Sequence, residues 1–137
     1  MIDIKDQTFD GTFPFAPHYH DINGFEMHFV DEGTGEPIVL LHGDPTWGYL
    51  YRTFIPTLSQ HLRCIVPDQM GMGKSGTPRH PYPYRLQHHI ANLETLLLKL
   101  DLNDLTLVLH DWGGPVGLGF ASRHPHRIKR LDRKSVV

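Results

Sequence analysis

The stretch Leu105-Thr106-Leu107-Val108-Leu109-His110-Asp111-Trp112-Gly113-Gly114 decides how the rest of the chain is interpreted. Its first five residues are mostly apolar and predict a strand buried on both faces of a parallel sheet. A helical pattern follows from Pro115 to Arg123, so Asp111 falls on a tight strand-to-helix turn. Such a turn holds a side chain above the sheet edge, close to the N–H groups that open the helix. This layout is typical of a nucleophile elbow, with Asp111 as the nucleophile.

Gly113 and Gly114 fit the same interpretation, because a Cβ at either position would crowd the packing of strand against helix. A second interpretation is open for this stretch alone. Aspartate at a strand-to-helix junction is also a common helix N-cap, whose side chain accepts a hydrogen bond from the first turn of the helix.

Composition narrows the class of protein. The chain has 137 residues, is 39% hydrophobic and carries a net charge of -2, which is typical of one soluble globular domain. There is no basic excess for nucleic acid, and no apolar run approaches the roughly 20 residues of a membrane span. The N-terminus lacks the apolar core of a secretory signal, and Cys64 has no second cysteine to pair with. We therefore expect a cytoplasmic protein with neither nucleic-acid nor membrane partners.

The order of predicted elements indicates an α/β fold. The pattern first predicts a hairpin, with strands at 19–22 and 25–30 joined by a turn at Asn23-Gly24. It then predicts a strand at 38–41, a helix at 49–58 that is interrupted near Pro56, a strand at 63–67 and a loop at 68–83. A helix at 84–100, the strand and helix described above, and a last strand at 127–131 complete the chain. Beyond the hairpin, strands and helices alternate. This order predicts a mostly parallel sheet with helices on both faces and an antiparallel hairpin at one side.

Two other motifs are not expected to act as cofactor sites. Residues 71–76 satisfy GxGxxG, but prolines at 78, 81 and 83 follow where a dinucleotide site needs a helix. The same segment contains GKS without the earlier glycine of a P-loop, because Asp68 occupies that position. The chain has 11 histidines but no HExxH and no accompanying cysteine cluster. We expect neither a cofactor nor a metal.

Two predicted strands end at the same edge of the sheet. One ends at His42, followed by Gly43-Asp44-Pro45, and the other ends at His110-Asp111. Ligands bind at this carboxyl edge in open α/β folds. The backbone N–H groups of Asp44 and Trp112 are placed to form an oxyanion hole beside Asp111.

Three motifs carry a resemblance to a known family. HGDPTW at 42–47, PDQMGMGKS at 67–75 and HDWGG at 110–114 are similar, in order and spacing, to the amino-terminal half of an α/β-hydrolase of the haloalkane dehalogenase group. The similarity covers about residues 10–131. Epoxide hydrolases resemble the chain at HDWGG, and β-lactone decarboxylases resemble it around PDQMGMGKS.

The resemblance implies a mechanism. Asp111 would attack the carbon that bears a halogen, displacing halide and leaving an alkyl ester on the enzyme. The Asp44 and Trp112 amides would stabilise the oxyanion when water hydrolyses the ester, and the Trp112 indole would donate to the halide. His42, Gly43, Pro45 and Gly113 would support the loops around them. The implied substrates are a small apolar halogenated compound and water.

One position departs from the pattern that the resemblance implies. Many dehalogenases have asparagine where this chain has Asp44, and an ionised carboxylate there would repel both halide and Asp111. Asp44 then serves only through its backbone N–H, or the substrate is an epoxide or a β-lactone. The sequence also leaves open an unusual backbone geometry at Pro45.

The resemblance also implies parts that the chain does not contain: a general-base histidine, its acid partner and a helical cap. His110 is a poor substitute because it points away from Asp111 across the turn. The segment Asp132-Arg133-Lys134-Ser135-Val136-Val137 interrupts the apolar strand expected there. We expect residues 1–131 to be a partial core domain, residues 132–137 to be a non-native tail, and the fragment to be inactive without its base. The alternative is an inactive or binding module.

Overall fold

Six strands form one mixed sheet in this computed structural model, which describes residues 3–79 and 84–134. In chain order they are β1 (His18–Ile22), β2 (Phe25–Glu32), β3 (Pro37–Leu41), β4 (Arg63–Pro67), β5 (Leu105–His110) and β6 (Ile128–Lys134). Across the sheet the strands lie in the order β1-β2-β4-β3-β5-β6.

Parallel pairing dominates, as predicted. β3 is parallel to both β4 and β5, and β5 is parallel to β6. β1 and β2 form the predicted antiparallel hairpin, and β2 pairs antiparallel with β4. Asn23 and Gly24 have φ values of +46° and +94°, the positive φ that a tight two-residue hairpin turn requires. The carboxyl ends of β3, β4 and β5 therefore lie side by side.

Helices cover both faces of the sheet. On one face α2 (Leu86–Lys99) and α3 (Gly113–Arg123) pack on a cluster that includes Leu107 and Leu109. On the other face a short 3-10 helix (Gly48–Tyr51) and α1 (Ile55–Leu58) contribute Tyr51 and Ile55 to a second cluster. The predicted α/β arrangement is confirmed. Among the described residues no helix has the length and apolar character to cross a membrane.

Several predicted details were wrong. β5 is fully buried on one face only, because Thr106, Val108 and His110 are half-buried. Pro56 does not interrupt a helix. It lies in the first turn of α1, where the helix does not need the N–H that proline lacks. The predicted helix is instead interrupted at residues 52–54, between the 3-10 helix and α1. α3 begins two residues before Pro115. The last four residues of the predicted loop at 68–83 lie outside the described residues.

The last strand also differs from its prediction. β6 continues beyond residue 131 to Lys134, and all of its side chains after Ile128 are exposed. Its backbone pairs with β5 up to His110, opposite Lys134. Backbone pairing rather than apolar burial therefore defines this strand, which is why the apolar pattern ended too early.

Candidate active site

Asp111 lies on the turn between β5 and α3 with a φ of +52°, in the left-handed region that glycine adopts more readily than residues with a side chain. The N-cap of α3 is the next residue, Trp112, and no side chain caps the helix. The capping interpretation of Asp111 was therefore wrong. The turn is closed by the N–H of Gly114, which donates to the Asp111 carbonyl at 2.8 Å.

Two glycines allow the loops to approach Asp111. A Cβ built on Gly43 would lie 2.5 Å from Asp111 Cβ and 2.7 Å from its Oδ2. A Cβ on Gly113 would lie 2.5 Å from the carbonyl oxygen of Leu41 and 2.7 Å from that of His42. The crowding predicted at Gly113 is confirmed, and Gly43 is needed for the same reason. At Gly114 an added Cβ would meet the Arg133 side chain.

The structure brings Asp44 and Asp111 together. The Asp44 N–H donates to Asp111 Oδ2 at 3.3 Å, across 67 residues of sequence. Hydrogen bonds from the N–H groups of Trp112 and Asp44 hold the pKa of the Asp111 carboxyl below its ordinary value. The peptide bond between Asp44 and Pro45 is cis, which is the unusual geometry that the sequence left open. The Asp111 carboxylate is thus held by two backbone donors.

His42 is completely buried, and hydrogen bonds fix its ring. Its Nε2 accepts from the Gln69 N–H at 2.9 Å, so its Nδ1 carries the proton and donates to the Gly43 carbonyl at 2.7 Å. The side-chain amide of Gln69 donates to the His42 carbonyl at 2.7 Å. His42 therefore supports the loop, and neither of its ring nitrogens is available to act as a base.

A third strand end, that of β4, was missed by the sequence analysis. Asp68 follows β4 directly and is completely buried. Its Oδ1 accepts from the Gly48 N–H at 2.7 Å, and its Oδ2 accepts from the Lys74 N–H at 2.9 Å and from His28 Nδ1 at 2.8 Å. The signal was available, since an aspartate directly after a buried strand must end at the same edge as Asp111.

The main cleft opens beside this edge, with a volume of about 460 Å³. Trp112 lines it and is 55% exposed. Trp112 also lines a neighbouring depression of about 200 Å³, which contains Asp111 and Arg133. The other residues lining the main cleft are Asp44, Gln69, Met72, Tyr84, Leu86, His89 and Val116. The arrangement combines the Asp111 carboxylate, two backbone donors and a cleft lined mostly by apolar side chains.

Within the two described segments, no three histidine, cysteine, aspartate or glutamate side chains are grouped so that they could hold a metal ion. His110 precedes Asp111 in the sequence. Its Nδ1 is buried without a hydrogen-bond partner, so it is not bonded to the Asp111 carboxylate.

Burial of histidine predicts a pH dependence of stability. Burial lowers the pKa of His42 and of His89 below the ordinary value of about 6.5. The unfolded chain then binds more protons than the folded chain just below pH 6.5, so the free energy of unfolding should fall as the pH falls. Urea denaturation at pH 7.5 and pH 5.5 measures this effect. His89→Phe keeps a ring but removes one titrating group, and should show a smaller decrease. Equal stability at both pH values would contradict the prediction.

Comparison with known proteins agrees with this geometry. Residues 36–131 match the alpha/beta hydrolase fold family, and the chain belongs to that family. Within it, the chain is 45% identical to a cis-3-alkyl-4-alkyloxetan-2-one decarboxylase of Shewanella oneidensis, over 89% of this chain and 39% of that protein. It is 42% identical to a haloalkane dehalogenase of Mycolicibacterium paratuberculosis, over 87% of this chain and 42% of that protein.

The fold of the chain also matches that of solved structures. The epoxide hydrolase CorEH superposes with a TM-score of 0.81 at 33% identity, over 88% of this chain and 42% of that one. The chain thus spans about two fifths of the length of the curated relatives it matches. The resemblance to all three groups of α/β-hydrolases is confirmed.

Proposed function

We propose that Asp111 is the nucleophile of a hydrolase of the haloalkane dehalogenase type, acting on a small apolar haloalkane. The observation that carries the proposal is the Asp111 carboxylate, held on a strained turn with Oδ2 3.3 Å from the Asp44 N–H. Because its pKa is lowered, the carboxylate stays ionised well below neutral pH. Trp112, which adjoins Asp111, also lines the mostly apolar cleft in which an alkyl chain would lie.

The proposed reaction has two steps. In the first, a carboxylate oxygen of Asp111 gives an electron pair to the halogen-bearing carbon, the carbon–halogen bond breaks, and halide leaves with its electron pair. The product is an alkyl ester on Asp111. In the second step, water adds to the ester carbonyl while a base takes its proton. The Asp44 and Trp112 amides stabilise the oxyanion, and the alcohol leaves to restore the carboxylate.

The base for the second step belongs, in this proposal, to the part of the relatives that the chain does not match. The 137-residue chain alone should therefore form the ester but not hydrolyse it efficiently. Incubation with 1-bromobutane should release about one bromide per chain and then stop. Continued release of many bromides per chain would show that the base lies within these 137 residues. Absence of any bromide release would contradict the proposed nucleophile.

Replacement of Trp112 tests the donor to the departing halide. The Trp112→Phe variant keeps an aromatic ring but loses the indole N–H, so the first-turnover rate of bromide release should fall about 100-fold, as when a donor to developing charge is removed. Trp47→Phe is the matched control. Trp47 packs among Phe9, Phe13 and Tyr49, and its replacement should leave the rate unchanged. Similar rates for wild type and Trp112→Phe would exclude this role.

A second candidate is decarboxylation of an oxetan-2-one, the activity in the name of the relative from Shewanella oneidensis. The observation that favours it is the exposed side chain of Asp44 in the cleft, because a carboxylate there repels a departing halide. Loss of CO₂ from a cis-dialkyl oxetan-2-one leaves an alkene and requires no halide site. Incubation with such a lactone and analysis of the headspace for CO₂ distinguishes the two: CO₂ without bromide release from 1-bromobutane would favour the decarboxylase.

A further inference from the structure

Gln69 makes two hydrogen bonds to a single residue on the neighbouring strand end. Its backbone N–H donates to His42 Nε2 at 2.9 Å, and its side-chain amide donates to the His42 carbonyl at 2.7 Å. Both residues are buried, with 6% of Gln69 and none of His42 exposed. A buried carbonyl that has lost its donor is costly, so these bonds hold the two strand ends in one relative position.

The residue before Gln69 holds the other end of the same loop. Asp68 accepts a hydrogen bond from the Gly48 N–H at 2.7 Å. The loop from residue 42 to residue 48 is therefore held at His42 by Gln69 and at Gly48 by Asp68. Asp44 lies between these two points, with its side chain exposed and its N–H directed at Asp111.

We propose that Gln69 is a positioning residue: through His42 it holds the loop so that the Asp44 N–H stays directed at Asp111. This inference rests on the proposed function, in which that N–H forms half of the oxyanion hole. The Asp44–Asp111 contact of 3.3 Å is already longer than the usual range for N–H···O bonds, so a small movement of the loop would lose it. A purely space-filling side chain at position 69 would not have this effect.

The experiment compares Gln69→Met with Gln60→Met. Methionine has the length of glutamine but lacks the amide, so it removes the bond to the His42 carbonyl and keeps the backbone bond to the ring. Gln60 is exposed and serves as the control. The readout is the pKa of the Asp111 carboxyl from carbon-detected NMR titration. We expect this pKa to rise towards its ordinary value in Gln69→Met and to stay unchanged in Gln60→Met, because a lost N–H bond no longer favours the carboxylate. A pKa that does not move in Gln69→Met would overturn the proposal.

A second readout uses the ester itself. Hydroxide at pH 9 attacks the butyl ester without needing a base, and loss of half the oxyanion hole should slow this hydrolysis about 100-fold in Gln69→Met. If the variant does not fold, hydrogen exchange of the Asp44 amide in the wild type still tests the proposal. The amide should be protected from exchange. Exchange at the rate of an open loop would overturn the proposal. The titration and the exchange measurement need no reaction. Failure of the wild type to form an ester therefore counts against the proposed function and not against the role of Gln69.

Discussion

Replacing Asp111 with asparagine should abolish formation of the butyl ester, with a fall in rate of at least about 10³-fold. The amide of asparagine has the same shape as the carboxylate and still presents an oxygen to the Asp44 N–H, but it carries no negative charge for attack on a saturated carbon. Intact-mass measurement after incubation with 1-bromobutane follows the reaction directly, since the ester adds one butyl group in place of a hydrogen.

The matched control for this experiment lies at the other end of the same strand. Asp104 precedes β5, has a φ of +53° and is exposed, so it shares residue type and backbone conformation with Asp111. It lacks the two backbone donors and the cleft. Asp104→Asn should form the ester at the wild-type rate. Ester formation in Asp111→Asn, or its loss in Asp104→Asn, would show that the reacting carboxylate is elsewhere.

Replacing Asp68 with alanine should lower the free energy of unfolding by at least about 3 kcal/mol, because three buried donors lose their acceptor and each loss costs about 1–3 kcal/mol. The change leaves the N–H groups of Gly48 and Lys74 and the ring of His28 without their acceptor inside the protein. A loss of this size is a large part of the 5–15 kcal/mol typical of a domain. Urea denaturation at pH 7.5 measures it.

Asp31→Ala provides the comparison for Asp68. Asp31 accepts two hydrogen bonds where Asp68 accepts three, both from Arg63 at 2.9 and 2.7 Å, and the Asp31 and Arg63 side chains are partly exposed. Water replaces the lost partner at such a site, and we expect a cost below about 1 kcal/mol. Equal costs for the two variants would mean that Asp68 does not organise the loops as its contacts indicate.

The elements that the sequence predicted well are those decided by local pattern. The Asn23-Gly24 hairpin and the strand before Asp111 follow from turn chemistry and from runs of apolar residues, and both were found. The approach of His42 and Asp111 to one sheet edge follows from the parallel order of the strands. Asp111 and Asp44 could therefore be named before their contact was seen.

The elements that were missed depend on contacts between distant segments. Nothing near Gln69 in sequence indicates that its amide reaches the carbonyl of His42, 27 residues earlier. Asp68 was considered only as the residue that replaces a P-loop glycine. Its position directly after a buried strand indicates that it lies at the same sheet edge as Asp111. β6 continues to Lys134 through backbone pairing alone, which an apolar pattern does not record.

The most direct test of Asp111 as the nucleophile is to locate the modified residue. The 137-residue chain is incubated with 1-bromobutane, digested, and the peptides are sequenced by tandem mass spectrometry. We predict one butyl group on the carboxyl of Asp111, with one bromide released per modified chain. A butyl group on Asp44, the other carboxylate of the site, or an unmodified chain under conditions where its fold is intact, would contradict it.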